Sequence, residues 1–191
     1  MYLFFDTETA GLPAEQYALA ANTANWPSIV QIAWVLTDEN GNESDAQTFI
    51  VRPDGFEISA DATSVHGITT EIARLKGVAI ETALNAFAKD VGRVTRLVAH
   101  NANFDEHVVG AEFIRAGQHN PLDSEVIYCT MRTAANAYGG QWPNLTKLHS
   151  FLFGAGFDSA HDALADARAC ARCFFEALVE PQLCVQGASV V

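Results

Sequence analysis

The sequence predicts one α/β domain built on a mixed sheet. Three observations carry that expectation: strand-like runs near the N-terminus are joined by turn residues; later strands alternate with helix-period runs; and 191 residues, 49% of them hydrophobic, suffice for one ordinary core. Tyr2–Phe5 is a short apolar run that predicts a buried strand, and 29–37 (IVQIAWVLT) predicts a second with partial alternation. Asp38-Glu-Asn-Gly41 is turn chemistry, so the strand expected over 46–51 returns antiparallel to form a meander. Ile80, Leu84, Phe87 and Val91 fall at helical spacing and predict an amphipathic helix over 80–94. Leu97–Ala99 reads as a compact strand. Phe104, Val108, Ala111 and Ile114 mark a further helix that ends near Gly117. Ala163, Ala167, Cys170/Ala171, Phe174 and Leu178 predict a long helix stopped by Pro181. Strands that begin as a meander and then alternate with helices imply a sheet of mixed direction.

Composition limits the function classes. Eleven Lys+Arg face 23 Asp+Glu, a net charge of −12, so the broad basic footprint of a duplex binder is absent. An enzyme that holds only a strand end through metal ions remains compatible with that charge. No stretch resembles a transmembrane span, and the Met-Tyr-Leu-Phe-Phe start lacks a basic n-region and a cleavage site. A reducing cytoplasm is therefore the expected location. Four cysteines (Cys129, Cys170, Cys173, Cys184) do not suggest a disulfide framework in a chain this long. Cys170 and Cys173 form a CxxC inside a helical pattern without a second Cys/His pair at zinc spacing, which reads as helix packing.

Three segments carry chemistry. In FFDTETAG (4–11), Asp6 and Glu8 stand two positions apart, so in a strand that runs through residue 8 they share one face. Two such carboxylates repel unless a cation lies between them or one is protonated, and hard divalent cations suit the pair. In LVAHNANFDEHVV (97–109), a strand passes through His100-Asn101 into a helix that carries Asp105. Alone, Asp105 is equally a first-turn acid favoured by the helix dipole, and His100 a histidine that holds a loop. In HDALADA (161–167), His161 precedes a helix and Asp166 lies on it, one step off the Ala163/Ala167 packing stripe. Asp162, four residues before Asp166, is a rival ligand that spacing leaves open. Four carboxylates can hold two metal ions around a phosphodiester, and an imidazole titrating near neutrality is the natural proton acceptor.

These segments resemble the three exonuclease motifs of the DEDDh class of 3′–5′ exonucleases, the proofreading-subunit (DnaQ-like) family. SVHGITTE (64–71) and PNLTKLHSFLFG (143–154) resemble further family segments, and the similarity covers roughly residues 2–179. The His-x4-Asp spacing places the chain with the histidine subclass. The resemblance implies an RNase H-like α/β/α fold with a mixed five-stranded sheet flanked by helices, and an exonuclease domain over 1–180 followed by a C-terminal tail over 181–191. It implies two Mg²⁺ (or Mn²⁺), with Asp6, Glu8 and Asp166 on the first metal. Asp6 would bridge to the second, which Asp105 would hold at least partly through water. His161 would be the general base. Thr7, Thr9, Leu12 and His66 fall where relatives contact the terminal nucleotide.

The implied activity is removal of nucleoside monophosphates from the 3′ end of single-stranded DNA. The alternatives are the same chemistry on RNA ends or short oligonucleotides, and a binding module that has lost activity. The intact set of Asp6, Glu8, Asp105, His161 and Asp166 argues against the module. The expected partner is the 3′ end of a single-stranded nucleic acid, DNA favoured, with a polymerase or a second copy of the chain as further candidates and no membrane. Two departures from the family pattern stand out. Residues 13–27 make a long connection beside the first motif, where Tyr17 and Trp26 are either stacking surfaces for a base or, for Trp26, part of the core. Cys129-Thr130-Met131 stands where many relatives have Asp-Thr-Leu, a position that is not a metal ligand.

Overall fold

A computed structural model describes residues 1–135 and 138–179. Five strands form one mixed sheet: β1 (Tyr2–Thr9), β2 (Ile29–Thr37), β3 (Glu43–Ile50), β4 (Arg96–Ala99) and β5 (Ile127–Cys129). Their order is β3-β2-β1-β4-β5. The first three form the antiparallel meander, while β1–β4 and β4–β5 are parallel. The turn after β2 is closed by Asp38, whose Oδ1 accepts the N–H groups of Asn40 (2.8 Å) and Asn42 (2.9 Å), with Gly41 left-handed at φ 85°.

The helices are α1 (Ala60–His66), α2 (Thr70–Lys76), α3 (Ile80–Val91), α4 (Ala102–Arg115), α5 (Thr130–Ala134), α6 (Leu145–Phe153) and α7 (Ala163–Val179). The expected helix over 80–94 stops at Val91, and the third strand begins at Glu43, three residues before its expected start. The short elements α1, α2, β5 and α5 lack the sustained periodicity that reveals longer ones. β2 is buried along its whole length, so its partial alternation did not mark an exposed face. Ile114 faces solvent, although Val108 and Ala111 on the same helix are fully buried. The expected helix stop at Pro181, the tail 181–191 and Cys184 lie outside the described residues.

The period of two in β1 divides the core. Leu3 and Phe5 point to a layer with Trp34, Leu84, Phe87 and Val108, which includes α3 and α4. Phe4 points to the opposite layer with Leu148, Cys170, Cys173 and Phe174, made by α6 and α7. Cys170 and Cys173 are free and buried there, as the packing reading expects. The acids inherit this division: Asp6 and Glu8 follow Phe4 onto the α7 side, and Thr7 follows Phe5 onto the α4 side.

Candidate active site

β1 is longer than its parallel neighbour. Its pairing with β4 ends at Phe4–Val98, so from Phe5 onward the β4-facing edge of β1 has no strand partner. The chain leaves β4 through His100 and Asn101. Asn101 is left-handed (φ 59°), a conformation asparagine tolerates, and it turns the chain sharply into α4. That turn brings Asp105 to the open edge, where its Oδ1 accepts the Thr7 N–H at 2.9 Å and the Thr7 hydroxyl at 2.7 Å. Asp105 thereby takes the place of the missing strand. His100 anchors the turn from behind: Nδ1 lies 2.9 Å from Thr130 Oγ1 and Nε2 3.0 Å from the Pro143 carbonyl. Burial pushes the His100 imidazole down to about 4, so it is neutral near pH 7 and serves as a structural strut.

On the other face, α7 presents Asp166 to β1. Ala163 and Ala167 are fully buried, and the small stripe lets the helix sit close to the sheet. Glu8, His161 and Asp166 each offer a ligand atom, and these atoms lie within 4.8 Å of one another. The His161 N–H donates to Asp166 Oδ2 (3.2 Å), whereas Asp166 Oδ1 is buried and has no hydrogen-bond partner among the described residues. His161 is exposed and left-handed, with φ 69°. It does not cap α7: Asp162 does, with Oδ1 accepting the Ala165 N–H at 3.1 Å. The other Asp162 oxygen accepts from Gln31 Nε2 at 3.0 Å, so the rival ligand is engaged in structure.

Electrostatics join Asp6 and Asp105 to this cluster. Burial, then the charges of Asp105, Asp166 and Glu8, hold the Asp6 carboxyl well above its ordinary range. Burial, then Asp166 and Asp105, push Glu8 up to about 8. Burial raises Asp105 to about 7 against the opposing hydrogen bonds from Thr7. Asp166 rises to about 6, again through burial, with His161 pulling the other way. These groups cannot all ionise at neutral pH without a countercharge. The four carboxylates and the orphaned Asp166 oxygen fit a hard divalent cation, with the His161 imidazole within reach of the same place.

A cleft of about 450 Å³ opens beside the acids, lined by Thr7, Glu8, Thr9, Leu12, His66 and Phe104 among others. All four residues expected to contact a nucleotide therefore border one space, of a size suited to a small ligand. His66, the last residue of α1, accepts the Ile68 N–H through Nδ1 at 3.1 Å. Burial holds its imidazole below the ordinary value, and nearby His161 adds to that effect. Phe104 was legible only as a core position; its place one residue before Asp105 puts it on the cleft wall. Gln31 carried no sequence signal beyond being the one strongly polar side chain inside β2.

The connection over 13–27 is pinned to α4. Trp26 is 3% exposed and stacks on His107 with centroids 5.2 Å apart, so it belongs to the core and is no surface for a base. Arg115 donates to the Thr23 and Trp26 carbonyls and pairs with Glu112 at 2.9 Å. Gly110 lets the loop approach: a Cβ there would meet the Ala20 Cβ at 3.1 Å. Tyr17 is 68% exposed, and its neighbour Gln16 is tied by its carbonyl to Asn103 Nδ2 at 3.2 Å.

A five-stranded mixed sheet whose central strand delivers acids to two acid-bearing helices defines an RNase H-like nuclease domain. The chain belongs to the exonuclease family, whose profile matches residues 3–174, and it is a phosphodiester hydrolase of the 3′–5′ type its motifs imply. It is 31% identical over 174 residues to DNA polymerase III subunit epsilon of Treponema pallidum (strain Nichols), covering 89% of this chain and 73% of that one. It is 32% identical over 185 residues to ribonuclease T of Yersinia pestis, covering 90% of this chain and 81% of that one. Its fold superposes on E. coli exonuclease I in complex with a dT13 oligonucleotide at a TM-score of 0.75 and 23% identity, over 95% of this chain and 42% of that one.

Proposed function

We propose that the protein removes nucleoside monophosphates one at a time from the 3′ end of single-stranded DNA, with two Mg²⁺ (or Mn²⁺) held by Asp6, Glu8, Asp105 and Asp166. The observation that carries this reading is the convergence of Glu8, His161 and Asp166 within 4.8 Å beside the half-buried Asp6 and the buried Asp105. Divalent cations bound there supply Lewis acidity and positive charge to the scissile phosphodiester. Asp6, Glu8 and Asp166 would hold the first ion, and Asp6 with Asp105, the latter at least partly through water, would hold the second. Asp105, fixed to Thr7 through one oxygen, is set before any ligand arrives.

His161, exposed at the mouth of the cluster, accepts the proton of the attacking water at an imidazole nitrogen. The Asp166 carboxylate receives the His161 N–H and so orients the backbone that carries the ring. Thr7, Thr9, Leu12 and His66 seat the terminal nucleotide in the cleft, with Phe104 offering an apolar wall to its base. Tyr17, exposed on the loop tied to α4, would offer a further stacking surface to a base. With a net charge of −12 the chain grips the strand end and the ions, not a long phosphate track.

A second reading, the same chemistry on RNA ends, is supported by the likeness to ribonuclease T. Likeness to a polymerase subunit supports a polymerase partner, and a second copy of the chain is the other candidate. The exonuclease domain spans 1–180, a boundary supported by the family match ending at residue 174, with 181–191 as a tail. Among the described residues no helix is long and apolar enough to cross a membrane; the cytoplasm is the proposed place of work.

Labelled single-stranded DNA, duplex DNA, RNA and dinucleotides, each with Mg²⁺, Mn²⁺ or EDTA, test the reading. The expected result is stepwise 3′ shortening of single-stranded DNA, abolished by EDTA. Activity confined to RNA or dinucleotides would replace the DNA reading, and activity undiminished in EDTA would remove the metals.

A further inference from the structure

β2 is buried throughout, yet it contains Gln31, only 5% exposed and directly opposite Glu8 in the β1–β2 register. A buried amide is costly unless its hydrogen bonds are made. Gln31 makes three, and two of them reach across to the approach to α7. Its Nε2 donates to Asp162 Oδ2 (3.0 Å) and to Thr48 Oγ1 (3.2 Å), and its Oε1 accepts the Ala163 N–H (3.2 Å). The orientation of the amide follows from its partners, since the Ala163 N–H requires an oxygen and the Asp162 carboxylate requires a donor.

The segment so held is unusual. Ser159 and His161 are both left-handed without being glycine, with φ of 59° and 69°. Each such residue is strained and persists only where its surroundings impose it. A helix needs its first N–H groups capped, and Asp162 Oδ1 alone does that for Ala165. Gln31 Oε1 adds a second cap on the Ala163 N–H, but capping does not require the further bond from its Nε2 to Asp162 Oδ2. The amide adds a fixed relation between β2 and the residue directly after His161, one turn before Asp166.

We propose that the Gln31–Asp162 bridge is a positioning device: it locks the His161 loop and the first turn of α7 onto the sheet, so that His161 and Asp166 face Asp6 and Glu8. Asp162 is thus a positioning residue and not a metal ligand. The catalytic part of this inference rests on the reading of His161 and Asp166 as active-site groups.

Three variants of the full chain test it. Gln31→Leu removes the bridge and keeps the volume apolar. Asp162→Asn retains an oxygen for the Ala165 N–H but turns an NH₂ toward the Gln31 NH₂, breaking the bridge while leaving the cap. The double variant asks whether the two act as one. At saturating Mg²⁺, each single variant should lower kcat about tenfold or more with KM changed less than about twofold, and the double variant should be no worse than the poorer single. In EDTA, amide hydrogen exchange over residues 158–166 should accelerate in both singles while α3 and α4 stay as protected as before. Wild-type kcat and exchange in Asp162→Asn would reduce Asp162 to a cap and overturn the proposal. Multiplying losses in the double variant would also overturn it, because the residues would then act separately. If the wild-type protein shows no exonuclease activity, the proposed function falls, and the exchange measurement still decides the bridge.

Discussion

Raising the pH should destabilise the metal-free protein over a window where most proteins are insensitive to it. The sign follows from the buried acids. Glu8 moves from 4.5 up to about 8 and Asp105 from 3.8 up to about 7, so the folded state binds more protons than the unfolded state between those limits. Stability is then full below the unfolded values and lost as pH climbs through the folded ones. His100 works in the opposite direction, since its imidazole falls from 6.5 to about 4, but its contribution ends once the pH exceeds 6.5. Above about pH 6.5 the carboxyls therefore act without His100 opposing them.

From pH 6.5 to 8, Glu8 spans about 1.5 pH units below its folded value and Asp105 about half a unit, together about 2–3 kcal/mol at 1.36 kcal/mol per unit. Glu8 is only partly buried, so solvent screening reduces this to about 2 kcal/mol. For a domain of this size that is a fall in Tm of about 4–8 °C. Differential scanning fluorimetry in EDTA across the window measures it. Saturating Mg²⁺ should raise Tm more at the alkaline end than at the acid end, because ions compete with protons for the same oxygens. A Tm in EDTA that is flat or rises over the window would refute the picture of a charge-frustrated acidic cluster. Glu8→Gln should make the slope shallower, with Asp6 and Asp105 sustaining the remainder.

Asp6→Ala and Asp166→Ala should each abolish turnover while leaving the metal-free fold as stable as the wild type or slightly more so, and kcat with Mg²⁺ within a few-fold of wild type would break the ligand assignment. His161→Ala should lower kcat by ~10²–10⁴-fold with little change in KM. Since its ring also lies within reach of Glu8 and Asp166, Mg²⁺ titration of the same variant matters: a large loss of metal affinity would make His161 a ligand instead of the base. Trp26→Ala should cost about 3–5 kcal/mol in urea unfolding with kcat on short oligonucleotides retained, because the indole packs under the loop and not against substrate. Tyr17→Ala should leave Tm unchanged and raise KM for single strands, and an unchanged KM would remove the ring from the substrate surface.

By itself the sequence determined the parts of this protein that depend on chain neighbours. A period of two put Asp6 and Glu8 on one face of β1, and a period of 3.6 drew α3, α4 and α7 with Asp105 and Asp166 near their first turns. The residue types, four carboxylates and a histidine, pointed to metal-dependent hydrolysis as the chemistry to test. Tertiary structure decided whom those residues meet. Asp105 binds Thr7, 98 residues away, because β4 stops at Ala99 and leaves the edge of β1 open. Trp26 went to the core because α4 offers His107 and a gap at Gly110. Asp162 shares its helical spacing with Asp166, the proposed ligand, yet its oxygens are taken by Ala165 and by Gln31, 131 residues distant. Local periodicity is written in the order of residues. The satisfaction of a buried polar atom depends on which strand ends first and which helix packs above it, and no window of sequence contains both partners.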